Sequence, residues 1–326
     1  MLLFLLHFWE EAVIRERIYI DWGTTNARAF RIGGDGALLA RREAKTGILN
    51  VPQGGFRAAF EALTEGWRQA PHEATPILMS GMIGSRQGWI EANYATCPAG
   101  VGELAALSVS VPDVPAARIV PGVRTAAATG RNDVMRGEEV QILGALKLAG
   151  MDEAVACLPG THSKWAKADR AAITDFSTAM TGEVFDLLCK HSILGKLMAP
   201  RAEDDLETFR RGVKRTAQNG GLLNHLFAVR ADGLFGDVAP ESLEDYLSGI
   251  LIGAEIAEMS RLYRATASPV ALVGSPLLTT RYEVALEMAG IRPLIVDAEQ
   301  ATLAGLDLVW SALDSIGVKS GGDMST

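Results

Sequence analysis

The alternation of apolar and polar positions predicts that the globular part of the chain opens with three strands and a helix. Residues 17–22 are typical of a strand, and 27–32 alternate small or polar with apolar side chains. Gly-Gly-Asp-Gly at 33–36 is a hairpin turn signal, after which residues 37–47 are typical of a third strand. Apolar residues then recur at helical spacing over 54–70, which predicts an amphipathic helix.

The same order of elements recurs in the second half of the chain. A strand at 154–158 leads through a Gly-Thr turn into strands at 164–168 and 172–179, and a helix begins at Thr181. Both halves therefore consist of strand, Gly-Thr turn, strand, tight turn, strand and helix, although they share few identical residues. Self-similarity on this scale predicts two related α/β domains rather than a short-period repeat.

The remaining segments complete the predicted elements. A buried strand within 75–85 runs into a glycine-rich loop, and the prolines of 105–120 leave only short β-prone pieces there. A helix with an acidic first turn, which suits the helix dipole, is predicted over 133–150. The last third is helix-rich, and its predicted elements are a helix at 242–263, a strand at 269–274, a loop at 275–279, a helix at 280–290, a strand at 292–298, a closing helix at 300–313 and a polar tail at 318–326.

Length and the extreme N-terminus set the predicted domain limits. A chain of 326 residues suits two domains. It begins with nine largely apolar residues, MLLFLLHFW, which are too few to span a bilayer and lack the basic region and cleavage site of a signal peptide. We therefore treat residues 1–16 as an N-terminal extension, 17–125 as domain I and 126–326 as domain II.

Composition narrows the class of protein. The net charge of −8 and the absence of a long Lys/Arg run argue against nucleic-acid binding. Cys97, Cys157 and Cys189 are far apart and form no metal-binding spacing, so they fit free thiols in a reducing cytoplasm. We expect a cytoplasmic protein with no membrane partner, and the sequence leaves its oligomeric state open, with a homodimer as one option.

Two short turns carry candidate phosphate chemistry. A glycine in a tight turn lets backbone approach an anion closely, adjacent hydroxyls add donors, and a carboxylate at a strand end can hold Mg²⁺ through water. The first turn, DWGTT, supplies Asp21, Gly23, Thr24 and Thr25. The second turn, PGTHSKW, supplies Gly160, Thr161, Ser163 and Lys164, with the lysine as a candidate cation. Either turn alone is most often a plain hairpin, but equivalent turns in two similar domains favour a shared phosphate ligand. The sequence holds neither a P-loop motif nor a dinucleotide-binding GxGxxG.

Five segments follow one another along the chain: DWGTTN, SGMIGSRQGW, LPGTHSKW, MTGEVFDLL and LVGSPLLTTRY. Together they resemble the 2-dehydro-3-deoxygalactonokinase family, a family of sugar-acid kinases in the sugar kinase, Hsp70 and actin superfamily, and the likeness covers residues 17–315. The resemblance implies two ribonuclease-H-like (actin-like ATPase) α/β domains with ATP and sugar in an active-site cleft between them. It also implies ATP-dependent phosphorylation of 2-dehydro-3-deoxy-D-galactonate at its 6-hydroxyl, as a step of galactonate catabolism.

The resemblance also implies roles for individual residues. Asp21 would bind Mg²⁺ through water, and the residues Gly23, Thr24 and Thr25 would face the β- and γ-phosphates of ATP. Residues Gly160, Thr161 and Ser163 would close the opposite side of the phosphates. Gly274 and Ser275, where a strand ends before a helix, would receive the adenosine, with Gly249 and Gly253 of the long predicted helix as a second wall.

The sequence offers several carboxylates as candidates for the catalytic base. Related kinases use one near the start of the second domain, where Asp133, Glu138 and Glu139 compete. We favour Asp133, because it precedes the predicted helix at a loop, and keep Glu138 as the alternative. Glu138 and Glu139 could equally serve only as dipole partners of the first helical turn.

The substrate is an anion, so a cation is expected beside it. Arg86 is the best candidate, because a guanidinium pairs bidentately with a carboxylate, although it could instead form an internal ion pair. Trp89 could stack on the sugar chain or belong to the core. Further candidates for substrate contact are Gln87, Asn26, Thr46 and Gly47.

Other functions remain open at this stage. A kinase of the same fold could act on a neutral sugar or on another keto-deoxy acid. An ATPase or exopolyphosphatase is a second class, because RGEEVQILGAL resembles the Glu-bearing helix of such phosphatases. A non-catalytic actin-like scaffold is the third.

Overall fold

The computed structural model describes residues 16–68, 75–112, 114, 116–125, 132–201, 203–265 and 269–321. The chain divides into two compact units, which are described separately here. The first unit takes the described residues up to Ala92 together with Ser108–Val120, and the second takes Asn93–Leu107 and the chain from Pro121 onward. The predicted domains 17–125 and 126–326 stay a prediction, and the predicted extension lies outside the described residues except for Glu16.

The secondary structure confirms most of the predicted elements. In chain order the strands are β1 (Arg17–Trp22), β2 (Ala27–Ile32), β3 (Leu38–Ala44), β4 (Ile77–Gly81), β5 (Ala95–Thr96), β6 (Ala99–Gly100), β7 (Val109–Ser110), β8 (Ala117–Ile119), β9 (Val123–Arg124), β10 (Val134–Met135), β11 (Glu153–Leu158), β12 (Ser163–Asp169), β13 (Ala172–Ala179), β14 (Val270–Gly274) and β15 (Pro293–Asp297). The α-helices are α1 (Phe56–Leu63), α2 (Val101–Ala106), α3 (Glu138–Ala149), α4 (Thr181–His191), α5 (Leu206–Arg215), α6 (Gly221–Phe235), α7 (Leu243–Tyr263), α8 (Pro276–Met288) and α9 (Ala298–Gly321).

The first unit is built on one six-stranded sheet with the order β3-β2-β1-β4-β8-β7. Strands β1, β2 and β3 form the predicted antiparallel meander, whereas β4 and β8 run parallel to β1. All five residues of β4 are buried, as expected for a central parallel strand covered on both faces. Because β1 and β4 are parallel and adjacent, the loops that follow them leave from the same edge of the sheet.

The second unit repeats this arrangement. Its large sheet has the order β15-β14-β11-β12-β13-β6, with β11, β12 and β13 antiparallel and β14 and β15 parallel to β11. The strands β3-β2-β1-β4-β8 of the first unit therefore match β13-β12-β11-β14-β15 of the second unit in order and direction, which confirms the internal repeat. A small sheet of β10, β9 and β5 completes this unit.

Helices of the second unit pack at glycines, which brings their backbones unusually close. A Cβ built on Gly144 of α3 would lie 1.9 Å from the carbonyl oxygen of Ala301 in α9, and one on Gly305 would lie 2.0 Å from that of Val140. Helices α5 and α7 meet in the same way, since a Cβ on Gly249 would lie 2.1 Å from the carbonyl oxygen of Phe209. A glycine inside a helix costs about 1 kcal/mol relative to alanine, and this close packing offsets that cost.

Several predicted boundaries are wrong. The helix predicted over 133–150 begins only at Glu138, because Val134 and Met135 pair with β9 as a strand. The predicted loop 275–279 is helical from Pro276, since proline suits the first position of a helix and Ser275 precedes it as N-cap. The closing helix begins at Ala298 directly after β15 and continues to Gly321, into the predicted tail. Among the described residues, no helix is both long and apolar enough to cross a bilayer.

Candidate functional site

The first Gly-Thr turn is a tight connection between β1 and β2. The amide of Gly23 donates to the carbonyl of Asn26 at 2.9 Å, which closes the turn. Thr24, Thr25 and Asn26 are exposed at its tip, and the Asn26 side chain donates to Glu43 at 3.2 Å. The two threonine hydroxyls are therefore accessible to a ligand, whereas the Asn26 amide is engaged with a neighbouring strand.

Asp21 lies one residue before the end of β1 and forms an ion pair within the sheet. Its Oδ2 accepts a hydrogen bond from Nη2 of Arg28 at 2.6 Å, and the two residues are register partners on β1 and β2. Arg28 was not among the predicted site residues. The pair places a guanidinium beside the candidate metal ligand, next to the Gly-Thr turn.

Residues 47–50 lie next to this turn and are hydrogen-bonded to its backbone. The amides of Gly47, Ile48 and Leu49 donate to the carbonyls of Thr25, Gly23 and Thr24 at 2.9–3.1 Å. A Cβ on Gly47 would lie 2.2 Å from the Thr25 backbone, so only glycine fits. The structure thus places Gly47 against the first Gly-Thr turn, and its predicted contact with substrate stays a prediction.

Thr46 and the loop after β4 supply the other predicted substrate residues. The Thr46 carbonyl accepts from Nε1 of Trp22 at 2.7 Å, while its buried hydroxyl has no hydrogen-bond partner within the described part of the chain. The Arg86 side chain is 88% exposed and lies 3.5 Å from Glu91. Gln87 is exposed as well. Trp89 packs on the core, with its ring centroid 5.5 Å from that of Phe60.

The second Gly-Thr turn lies against the first turn of α4. The amide of Glu183 donates to the Thr161 carbonyl at 3.0 Å, and a Cβ on Gly182 would lie 2.5 Å from the Gly160 carbonyl oxygen. A Cβ on Gly160 itself would meet nothing within 4 Å, so space is open in front of the turn. The amides at the N-terminus of α4 and the turn therefore border the same open space, which suits an anion. His162, exposed, hydrogen-bonds Glu183.

Ser163 and Lys164 of the same motif are buried instead of facing this space. Ser163 is fully buried and donates its hydroxyl proton to Glu255 at 2.6 Å. The Lys164 ammonium donates to the Thr178 hydroxyl at 2.9 Å. The groups open to a phosphate at this turn are thus the backbone near Gly160 and the exposed Thr161.

Asp133 is fixed to the central sheet of the second unit. Its Oδ1 accepts from the Thr178 hydroxyl at 2.7 Å and from the Val134 amide at 2.8 Å, and its Oδ2 accepts from the Thr178 amide at 2.6 Å. Through Thr178 it is linked to Lys164. Since a carboxylate has about four acceptor sites, one remains for a further donor.

The two glutamates of α3 behave differently from one another. Glu138 is half-buried and accepts from the amide of Arg136 at 2.9 Å. Glu139 is fully buried, and its Oε2 accepts from the amide of Gly137 at 2.7 Å while Oε1 has no partner among the described residues. Burial, reinforced by the charge of Glu138, raises the pKa of Glu139 to about 8.

A cavity of about 150 Å³ lies beside the second turn, within the second unit. It is mainly apolar, with two guanidinium groups and three hydroxyl-bearing residues. The turn and α4 contribute Gly160, Thr181, Gly182 and Phe185, α7 contributes Ser248, Leu251 and Ile252, α8 contributes Leu277, Leu278, Arg281 and Tyr282, and Arg201 completes the lining. An apolar slot that opens at an anion-binding turn suits a nucleoside joined to phosphates.

Two buried acids of α7 hold the walls of this cavity. Asp245, fully buried, accepts from Arg201 at 2.6 Å, from Arg281, and from the Asp205 amide at 3.0 Å. Glu255 is the second acid and also holds Tyr282, whose hydroxyl donates to it at 2.7 Å. Helix α8 is therefore tied to α7 at two adjacent residues.

The remaining donors to Glu255 are three residues of β12 and α4. Trp165 donates through Nε1 at 2.7 Å, Ser163 through its hydroxyl at 2.6 Å, and Thr181 through its hydroxyl. Burial, followed by the charge of Glu255, raises the pKa of Tyr282 well above its usual range, so the phenol keeps its proton. Glu255 was not predicted; its signal in the sequence is a single acid within the apolar run GILIGAEIA.

The predicted adenosine residues are not among those that line this cavity. Gly274 ends β14 beside Pro159 of the second turn, and Ser275 is the exposed N-cap of α8. Gly249 and Gly253 do not form a second wall, because both face α5. The wall on α7 consists instead of Ser248, Leu251 and Ile252.

The acidic residues also bear on metal binding. No three His, Cys, Asp or Glu side chains cluster as metal ligands in the described part of the chain. Mg²⁺ is commonly held by one or two carboxylates together with substrate phosphates and water. Asp21, next to the first turn, fits that mode of binding.

Comparisons with known proteins agree with this geometry. The sequence matches the family described as 2-keto-3-deoxy-galactonokinase over residues 21–309. It is 40% identical over 304 residues to a protein named as a probable 2-dehydro-3-deoxygalactonokinase from Rhizobium meliloti, covering 90% of this chain and 96% of that protein. It is 38% identical over 289 residues to the 2-dehydro-3-deoxygalactonokinase of Escherichia coli, covering 89% and 95% of the two chains.

Solved structures show the same relationship. The crystal structure of a candidate 2-dehydro-3-deoxygalactonokinase from Sinorhizobium meliloti has a TM-score of 0.81 at 38% identity and covers 92% of this chain and 99% of that one. The activator of 2-hydroxyisocaproyl-CoA dehydratase from Clostridium difficile shares the fold alone, with a TM-score of 0.50 at 12% identity over 95% of this chain and 99% of that one. Because the family match spans most of the chain and two relatives exceed 30% identity over nearly all of it, the chain belongs to the 2-keto-3-deoxy-galactonokinase family.

Proposed function

We propose that this protein transfers the γ-phosphoryl group of ATP to the 6-hydroxyl of 2-dehydro-3-deoxy-D-galactonate, giving the 6-phospho sugar acid and ADP in galactonate catabolism. The substrate follows from the names of the relatives. The observation that carries the nucleotide part is that the cavity adjoins the second Gly-Thr turn, since Gly160 of the turn lines it together with Thr181 and Gly182 of α4. A nucleoside in the cavity would present its phosphates to the amides of the turn and of α4.

Phosphoryl transfer needs charge stabilisation at the phosphates. At the first turn, Thr24 and Thr25 would supply hydroxyl donors, and Asp21 would hold Mg²⁺ through water. The metal, when bound, would neutralise charge on the phosphate oxygens. Arg28 lies 2.6 Å from Asp21, where it would fix the carboxylate and add positive charge.

The acceptor side of the reaction needs a base and a cation. Asp133 remains our choice for the base, because Thr178 holds its carboxylate by two hydrogen bonds and one acceptor site remains. Glu138 is the alternative. Arg86 would bind the substrate carboxylate, because its guanidinium is exposed and its ion pair among the described residues is a 3.5 Å contact to Glu91.

Further parts of the proposal concern fold and location. Each unit would be a ribonuclease-H-like domain of the actin-like superfamily, a suggestion supported by the matching strand order of the two sheets. The three cysteines are free, which fits the cytoplasm. A homodimer stays a prediction.

A coupled ADP-release assay tests the function. It would compare 2-dehydro-3-deoxy-galactonate, its gluconate epimer, a neutral hexose and no acceptor. We expect turnover with the galactonate-derived acid. ADP release without acceptor would instead indicate a hydrolase, and turnover with only another acid or a hexose would indicate a different sugar kinase.

A matched pair of glycine variants tests the nucleotide site in the same assay. Gly182→Ala should raise KM for ATP at least about tenfold, because its Cβ would press on the Gly160 carbonyl in the turn. Gly102→Ala adds a Cβ that meets nothing within 4 Å and should leave KM unchanged. If KM for ATP were the same in both variants, the second turn would not be part of the phosphate site.

A further inference from the structure

Four neutral donors from separate parts of the second unit converge on one buried carboxylate. Glu255 is 6% exposed, and it accepts hydrogen bonds from Ser163 and Trp165 on Oε1 and from Thr181 and Tyr282 on Oε2. Of these donors, Thr181 and Tyr282 also line the cavity. The carboxylate therefore controls the hydrogen-bonding state of two residues in the cavity wall.

A hydroxyl group has one proton to donate and two lone pairs to accept with. Because Thr181 and Tyr282 both direct their single proton to Glu255, neither hydroxyl can donate to a ligand. Each can meet a ligand only as an acceptor. The direction follows from the geometry, because two donors point at each oxygen of Glu255.

We propose that Glu255 is a positioning residue that sets the nucleotide selectivity of the cavity. By holding Thr181 and Tyr282 as acceptors, it makes the cavity recognise a hydrogen-bond donor of the nucleoside. That donor is the exocyclic amine of adenine or a ribose hydroxyl. This inference rests on the proposed function only in taking a nucleotide as the occupant of the cavity.

Besides Thr181 and Tyr282, the polar side chains that line the cavity are those of Arg201, Arg281 and Ser248. Arg201 and Arg281 are held by Asp245, and guanidinium groups can only donate. Ring nitrogens N3 and N7, which accept, are shared by adenine and hypoxanthine. ITP carries a carbonyl in place of the amine, so at this position the arginines could donate to ITP but not to ATP, and the Ser248 hydroxyl could pair with either; neither group would select ATP over ITP.

Glu255→Gln offers an isosteric test with a defined outcome. The Trp165 Nε1–H can only donate, so the amide oxygen must replace Oε1, which faces Trp165 and Ser163. The amide nitrogen then faces Thr181 and Tyr282 and donates to both. Their hydroxyl protons are released and can turn toward the cavity, which converts two acceptors into donors.

The measurement is nucleotide affinity by calorimetry without sugar acid. The ligands are ATP and three analogues, ITP, 2′-deoxy-ATP and 3′-deoxy-ATP. Each analogue lacks one of the candidate donors of ATP. In the native protein, at least one analogue should bind about tenfold or more weakly than ATP, as expected when a buried acceptor loses its partner. Glu255→Gln should reduce that difference to threefold or less. If the amine is the donor, the variant should favour ITP.

Two tyrosine variants separate selectivity from general damage to the fold. Tyr282→Phe removes one acceptor of the cavity and should lower the discrimination between ATP and its analogues. Unlike Glu255→Gln, it does not convert an acceptor into a donor. Tyr246→Phe is the matched control, because Tyr246 lies on α7 like Glu255 but does not line the cavity, and its hydroxyl donates to Asp232 of α6 at 2.8 Å. Tyr246→Phe should keep the native ratios.

The outcomes distinguish this inference from the proposed function. Equal affinity of the native protein for all four nucleotides would overturn it, and so would unchanged ratios in Glu255→Gln or Tyr282→Phe. A uniform loss of affinity for every nucleotide would make Glu255 merely structural. Native discrimination together with no phosphoryl transfer would refute the proposed reaction and leave the inference standing.

Discussion

Replacing Glu139 by glutamine should change how the stability of the protein depends on pH. Glu139 is fully buried in the first turn of α3, with one oxygen on the Gly137 amide and the other unpartnered among the described residues. Burial, then the charge of Glu138, raises its pKa from 4.5 to about 8. A carboxyl group in this state holds its proton at neutral pH in the folded chain and loses it on unfolding.

The sign and size of the effect follow from proton linkage. Between pH 4.5 and about 8 the folded chain binds one proton more than the unfolded chain, so the free energy of unfolding falls as the pH rises through this window. At about 1.4 kcal/mol per pH unit, the shift bounds the effect at about 5 kcal/mol. Glutamine cannot ionise, so its burial cost of about 1–3 kcal/mol is the same at every pH.

The assay is urea unfolding of native protein and variant from pH 5 to pH 9. The native protein should be the more stable at pH 5, and the variant should gain on it steadily up to about pH 8. Glu153→Gln controls for general charge effects, because Glu153 is exposed at the start of β11. Native and Glu139→Gln curves that stay parallel across the range would show that Glu139 is ionised in the folded state and refute the reasoning.

Three further predictions concern packing, substrate and thiols. Gly144→Ala should lower stability by about 3 kcal/mol, because its Cβ would overlap the Ala301 carbonyl, and a thermal melt showing native stability would contradict this. Arg86→Ala should raise KM for the sugar acid far more than KM for ATP, and equal effects on both would remove it from the substrate site. Burial raises the pKa of Cys97 and Cys189 to about 11, so both should react with iodoacetamide at pH 7.5 much more slowly than in urea; equal rates would show accessible thiolates.

The repeated architecture could be predicted because it rests on local signals. In each half, turn residues indicate the hairpins and the spacing of apolar residues indicates the helix. Both signals depend only on residues that are close in sequence. The start of α3 could not be predicted, because Val134 and Met135 become a strand only by pairing with β9. That pairing joins separate stretches of chain and leaves no local period to detect.

The candidate site shows the same contrast between local signals, which could be predicted, and contacts between distant residues, which could not. The two turns were found because their glycines and hydroxyls are contiguous in sequence. Glu255 was missed because its importance lies in donors up to 92 positions away along the chain, such as Ser163. Ser163 was assigned to phosphate because its motif does not reveal that its one proton is directed into the core.

Helix α7 shows why the cavity cannot be understood from either wall alone. Its glycine face is fixed on α5, where a Cβ on Gly249 would collide with the Phe209 carbonyl, so the helix cannot slide or rotate without losing that contact. Its other faces carry Asp245 and Glu255, which tie down α8 through Arg281 and Tyr282. Since the support is rigid and the ties are buried, the width of the cavity is set by the protein before any ligand arrives. Selectivity in such a site is governed by the direction of the hydrogen bonds in its wall, which is the property that Glu255 controls.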